Sequence, residues 1–503
     1  MKKPDDAIFW LLQRLSKQEK KLIRAMLNGE GKKSYLLTLF GLIENLDTYD
    51  EQVLKSRLKN AALKKDFKIY KNLLYQAVLK GLMITQLHGS SNKPVQYYLL
   101  AGAVLNKKGL KAQAKKLLVK GTELEETTLL HELEAMRLQS KMPAHFSGTA
   151  EISSYYKLMQ EKAEALKREL KYEEINRCFR YLIQKYVYAI EKGVKKQFDE
   201  LIKLNGKKEE QALTVYSKLL FNKNHFYYYF YTLQLKEAER YLLRQEEILM
   251  KDNGNTEHGI HLHIELLREK GLFIMEQRLK EKLRAFLVQM DDFIRKNAAR
   301  MNQEEYSTML IFEMNVKGGF FSASVDFSGG INYLKSRYNF IRRQGIVLHP
   351  ASVLTYQANL LVMNFMNGDF KIALNHCNHI LNSAYLNVRQ DIYYAVRLLN
   401  LLCHYELKHT DYLPALIRST FRLLMKKEKI HKYEKEILCF FKELPKVNSK
   451  KAFKLQLQSL LAKLEELQSD PLERITFAYF DYIIWIKSKL VDKPVVELLR
   501  KNE

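Results

Sequence analysis

Apolar residues recur at the three- and four-residue spacing of amphipathic helices. Leu22, Ile23, Met26 and Leu27 fall on one helical face, and Val53, Leu54 and Leu58 begin another. Helix starts are written beside these faces. Ser16-Lys17-Gln18-Glu19 and Thr48-Tyr49-Asp50-Glu51 read as capping boxes, in which a hydroxyl accepts from an early amide and the carboxylate reaches back. Pro94, Pro471 and Pro494 stand where a first turn tolerates a missing amide, with Asp470 and Asp492 as capping residues. Loops are expected at 88–93, 143–149, 251–256, 345–350 and 445–449, with a Gly-rich one at 317–330. Between them helix follows helix, about twenty or more at roughly 20 residues per helix and loop. A single bundle of that many helices is a poor solution. A stack of hairpins, each burying its face on the next, is the natural one.

Composition agrees. Twenty Gly and eight Pro in 503 residues is about half the usual share, while 47% of residues are hydrophobic and 28% charged. That excludes collagen-like and low-complexity chains and leaves too few turn formers for a sandwich or barrel. The class is all-α.

The segment Tyr98–Gly121 resembles the tetratricopeptide (TPR) repeat: an aromatic at Tyr98, a small residue at Gly102, Leu105, a turn at Gly109, then Ala114, Leu118 and Gly121. A second copy runs Leu360–Leu381, with Asn367-Gly368-Asp369-Phe370 as its turn and Ala373-Leu374 opening the second helix. Weaker copies are Asp411–Leu416 and Lys236-Glu237-Ala238 before Tyr241 and Leu242, the latter without the preceding small residue. Ala373 and Ala415 are 42 residues apart, against about 34 in the standard repeat. The resemblance implies an α-solenoid of TPR-like hairpins over 91–503, with a possible break near 317–350, preceded by a helical N-terminal module over 1–90. It also implies binding of proteins or peptides rather than catalysis.

Charge adds a candidate surface. The chain carries a formal charge of +26, which favours an acidic partner such as RNA, an acidic protein face or an anionic surface. Gln52–Thr122 holds 15 basic residues against the single acid Asp66, and Arg418–Lys454 holds 12 against 4. Within the first stretch Lys64, Lys65, Lys68, Lys107, Lys108, Lys111, Lys115, Lys116 and Lys120 are the candidate partner-binding residues. Lys111/Lys115 and Lys116/Lys120 are like-charged i,i+4 pairs that repel by a few tenths of a kcal/mol each. Either an acidic partner relieves that repulsion, or the face is solvated and acids from elsewhere in the fold compensate it.

Other features weigh less. Cys178, Cys377, Cys403 and Cys439 form no paired motif and read as reduced core thiols. His376-Cys377 with His379, and His258 with His261 and Glu265, lack a converging second set for zinc; His131-Glu132 lacks the second histidine of H-E-x-x-H. Phe226–Tyr231 is six aromatics in a row, at least half of which must face inward on a helix. Trp10 and Trp485 are expected as core anchors. No phosphate-loop, dinucleotide or nucleophile-elbow motif occurs, and the Gly-rich 318–330 segment, lacking a Lys-Ser/Thr, reads as a bend between hairpins. The start of the chain does not form a signal peptide and no run of 18 apolar residues occurs. The expectation is a non-enzymatic cytoplasmic interaction scaffold or adaptor that binds a protein or peptide, with no cofactor, metal or transmembrane segment. The alternatives are an RNA- or ribosome-associated protein using the basic 52–122 surface, and a peptide-sensing regulator.

Overall fold

The computed structural model describes residues 7–13, 15–28, 32–46, 49–58, 60–88, 94–124, 128–141, 148–185, 192–251, 259–277, 279–346, 348–385, 389–409, 411–425, 431–444, 449–470, 473 and 479–501. Every regular element among them is a helix, as the turn-poor composition predicts. Packing divides the chain into two compact units, Met1–Leu166 and Lys167–Glu503.

The first unit contains α1 (Ala7–Gln13), α2 (Lys17–Leu27), α3 (Lys32–Glu44), α4 (Glu51–Arg57), α5 (Ala61–Lys65), α6 (Phe67–His88), α7 (Val95–Lys107), α8 (Lys111–Thr122), α9 (Leu129–Ser140) and the start of α10 (Thr149–Lys185), within which the division falls. Ser16 and Glu19 form the expected capping box of α2. The α4 start differs from expectation: Asp50, not Thr48, caps it, its carboxylate accepting from the amides of Gln52 and Val53, and Thr48 lies outside the described residues. Apolar side chains from Ile8 to Val78 close one core among α1–α6. Ala114, Leu118, Ala135 and Leu138 close a second, smaller one among α7–α9.

The second unit continues with α11 (Lys192–Asn205), α12 (Val215–Tyr231), α13 (Leu235–Lys251), α14 (Gly259–Gln277), α15 (Lys280–Asn297), α16 (Gln303–Ala323), α17 (Phe327–Arg343), α18 (Pro350–Met366), α19 (Phe370–Leu381), α20 (Gln390–Glu406), α21 (Leu413–Met425), α22 (Lys432–Glu443), α23 (Lys450–Gln468), α24 (Tyr482–Val491) and α25 (Val495–Lys501). From α11 to α23 each helix packs on the next, and α14, α16, α18 and α20 also pack on one another. That is the packing of a helical-hairpin stack, in which alternate helices line one layer. The largest core runs from Leu310 to Ile486 and holds Trp485, 2% exposed.

One backbone device recurs at six described helix ends. Gly109, Leu233, Val325, Gly368, Lys408 and Asp492 are left-handed, with φ between 52° and 87°. In each turn the next amide bonds a carbonyl five residues back: Leu110 to Leu105, Gln234 to Tyr229, Asp326 to Phe321, Asp369 to Asn364, His409 to His404 and Lys493 to Ser488. This is the Schellman closure, which satisfies carbonyls that a helix end leaves open. Asp492, expected as an N-cap, therefore closes α24 instead.

Several expectations need correction. The Gly-rich 317–330 segment is not a loop: α16 and α17 absorb its glycines and leave only Ser324–Asp326 between them. A Cβ at Gly330 would lie 2.9 Å from Phe321 Cβ and Met363 Sδ, so this glycine serves close helix approach rather than flexibility. Trp10 is 55% exposed and Cys178 is exposed, so neither is a core residue. In the third hairpin Ala415 is exposed, and Leu413, Ile417 and Thr420 are the buried residues. His258, Pro445 and Pro471 lie outside the described residues.

Candidate functional site

The α7–α8 hairpin is built on the small residues that the repeat pattern named. Tyr98, Gly102, Ala114, Leu118 and Gly121 are all buried. A Cβ at Gly102 would meet Leu118 Cγ at 2.7 Å, and one at Gly121 would meet Tyr98 Cβ at 2.8 Å. The two helices thus approach as closely as hydrogen in place of a side chain allows. Fixing that face inward fixes the other outward. Lys107 and Lys108 at the end of α7, and Lys111, Lys115, Lys116 and Lys120 along α8, are all exposed.

Lys64, Lys65 and Lys68 are exposed too, but at the α5–α6 junction, where Leu63 and Phe67 belong to the other core of this unit. The sequence grouped nine lysines; the fold places six on one hairpin and three on another core.

No acidic group among the described residues lies within 4.0 Å of any of these nine ammonium groups. Four acids of the same unit are engaged elsewhere. Glu44 pairs with Lys20 and Arg24, Glu51 with Lys55 and Lys71, Glu132 with Lys162 and Glu134 with Arg137. Only Lys120 has a described electrostatic neighbour, the Tyr98 ring at 5.8 Å. None of the nine lysines therefore forms an ion pair with a described acid. Between the lysines lie exposed apolar side chains: Leu100 is 58%, Val104 49% and Leu110 46% exposed. The hairpin therefore exposes both cations and hydrocarbon.

The second unit holds an ionic cluster that the sequence reading missed. Lys223 on α12 is buried, its Nζ 2.6 Å from Glu265 and 3.1 Å from Glu269 on α14. Burial disfavours its charge, but Glu269, Tyr227 and Glu265 together hold the ammonium's pKa above the ordinary lysine value. Burial also works against the Glu265 carboxylate, yet Lys223 outweighs it and lowers that pKa. At Glu269 burial wins and raises the pKa, with Oε2 left without a partner. One cation thus balances one firmly ionised carboxylate. The signal was available: Glu265 and Glu269 are one turn apart on α14, beside the buried Leu262, Leu266 and Phe273.

The aromatic run is inward, as its length requires. Phe226 and Phe230 are buried and Tyr227, Tyr228, Tyr229 and Tyr231 half-buried. His376 contacts the Gln357 amide oxygen at 2.6 Å, and His261 stands 3.7 Å from Glu265. Both histidines serve contacts within the fold.

No family model matches the sequence, and no curated protein matches it. Among solved structures the chain is similar to the apo form of the quorum sensor NprR from B. thuringiensis, with 14% identity and a TM-score of 0.41, over 81% of this chain and 96% of that one.

Proposed function

We propose that this protein is a non-enzymatic interaction scaffold of the cytoplasm that docks an acidic, amphipathic segment of a partner protein on the outer face of the α7–α8 hairpin. The observation that carries the reading is the set of six hairpin lysines with no acidic neighbour within 4.0 Å among the described residues. Holding like charges one turn apart costs helix stability, and an acidic ligand offsets that cost. Leu100, Val104 and Leu110 favour a polypeptide over RNA, because aliphatic side chains pack against apolar side chains but offer no aromatic face on which a base stacks.

The test compares two labelled ligands by fluorescence anisotropy on the full-length protein: a helical peptide alternating Glu with Leu at i,i+3/i+4 spacing, and a single-stranded oligouridylate of equal charge. The reading expects the peptide to bind at least tenfold more tightly. Tighter binding of the oligouridylate would replace the protein partner with RNA.

A further inference from the structure

The turn between α20 and α21 frames a cavity of about 540 Å³, inside the range of roughly 300–1,000 Å³ typical of pockets that hold organic molecules. Its apolar wall comes from Tyr405, Leu413, Pro414 and Leu444. The cavity belongs wholly to the second unit and shares no residue with the α7–α8 hairpin, so this inference does not rest on the function proposed for that hairpin.

The polar groups of the wall fall into two sets. Glu406, the acid of the lining, is fully engaged: Oε1 accepts from Trp485 Nε1 at 2.7 Å and Oε2 from Lys489 Nζ at 2.6 Å. Its charge is cancelled inside the wall. Lys408 has no such partner. It occupies the left-handed position of the turn at φ 56°, its side chain is exposed, and no acid among the described residues lies within 4.0 Å of it. Beside it His404 and His409 meet Nδ1 to Nδ1 at 3.0 Å, which requires one ring to donate and the other to accept. Burial, and then His409, lower the His404 pKa, in keeping with a neutral ring there. A neutral accepting ring carries its proton on Nε2, so the pair retains one Nε2–H to give. The lining thus joins hydrocarbon to one unpaired cation and one neutral N–H donor, with its own carboxylate occupied.

We propose that this cavity binds an apolar molecule bearing a single carboxylate, the hydrocarbon against Leu413, Pro414 and Leu444 and the anion on Lys408 and the histidine pair. Charge-assisted hydrogen bonds of this kind offset the desolvation of a carboxylate, which a purely apolar pocket cannot do. A small aryl or alkyl acid and the free C-terminus of a peptide ending in an apolar residue share the required chemistry.

Calorimetric titration of the full-length protein with 4-phenylbutyrate, with 4-phenylbutanol and with a hexapeptide ending in Leu, as free acid and as amide, tests this. Ring 1H–13C spectra of histidine-labelled protein locate the site through His404→Gln and His409→Gln assignments. The expected result is one site that prefers an acid over its neutral counterpart at least tenfold, with the His404 and His409 signals shifted. Lys408→Glu should remove that preference and leave phenylbutanol binding unchanged. Lys408→Gly, which relieves the turn and therefore keeps the fold, should lower acid affinity at least fivefold. Preference for phenylbutyrate identifies a small acid as the ligand source, and preference for the free-acid peptide a chain terminus. Equal binding of acid and neutral ligand, no binding of any of the four at millimolar concentration, or acid binding that Lys408→Glu leaves intact would overturn the proposal.

Discussion

Gly102 of α7 lies directly beneath Leu118 of α8, so close that a Cβ atom there would stand 2.7 Å from Leu118 Cγ. This contact sets the hairpin spacing, and with it the display of Lys107, Lys108, Lys111, Lys115, Lys116 and Lys120. Gly102→Val should destabilise the protein by about 1–3 kcal/mol through overpacking, and adding Leu118→Ala should recover part of the loss. A double-mutant cycle by denaturant unfolding measures the coupling; strictly additive effects would mean the two residues do not share this contact.

The six left-handed turns make a reciprocal prediction. Gly368 has open space around a would-be Cβ, so Gly368→Ala pays only for its φ of 87° and should cost about 1 kcal/mol. Lys408→Gly at φ 56° should gain a similar amount, about 0.5–1 kcal/mol after the backbone entropy of glycine. Denaturation midpoints that move the other way would contradict the turn geometry.

These turns also explain what the sequence disclosed and what it hid. The Tyr98–Gly121 and Leu360–Leu381 hairpins were readable because glycine occupies both the turn and, in the first, the close-approach positions. Equivalent turns at Leu233, Val325 and Lys408 were not, because no residue type there signals positive φ. Conversely, the four glycines of 317–330 resembled a loop, but tertiary packing against Phe321, Leu334 and Met363 keeps Gly318 and Gly330 helical. The lysines of the candidate surface were legible as a charge run; that none forms an ion pair with a described acid, and that they divide between two cores, required coordinates. Lys223 went unnoticed because a single lysine among aromatics has no pattern of its own.

His225 predicts acid sensitivity. Its ring is buried, stacked on Tyr241 at 4.5 Å and 3.0 Å from the Gly206 carbonyl. Burial drives its pKa from 6.5 down to about 4, against the raising effect of the Gly206 contact and with a further lowering from Arg240. Between those values the unfolded chain binds a proton that the folded chain refuses. Stability from this site is therefore complete above pH 6.5 and lost as pH falls toward 4, by up to about 3 kcal/mol. His225→Gln should flatten the stability profile between pH 7 and 4.5; an unchanged slope would show that the ring protonates freely.

Lys223→Met should be severe. It leaves the buried Glu269 without its cation and Glu265 with only Arg180 at 3.8 Å and His261 at 3.7 Å, and removing one partner of a buried pair typically costs about 3–5 kcal/mol. The loss should shrink at low pH, where the carboxylates are neutralised. Thermal unfolding of the variant at pH 7 and pH 5 checks both parts, and an equal deficit at the two pH values would contradict the pairing.

The central claim is that the α7–α8 lysines face a partner rather than solvent alone. The most direct measurement is the affinity of the Glu/Leu helical peptide for the wild type and for the Lys111→Glu/Lys115→Glu/Lys116→Glu/Lys120→Glu variant, with circular dichroism confirming equal helicity. We expect the variant to bind at least tenfold more weakly and the wild-type affinity to fall with added salt. Equal affinity of the two proteins at low salt would contradict the account.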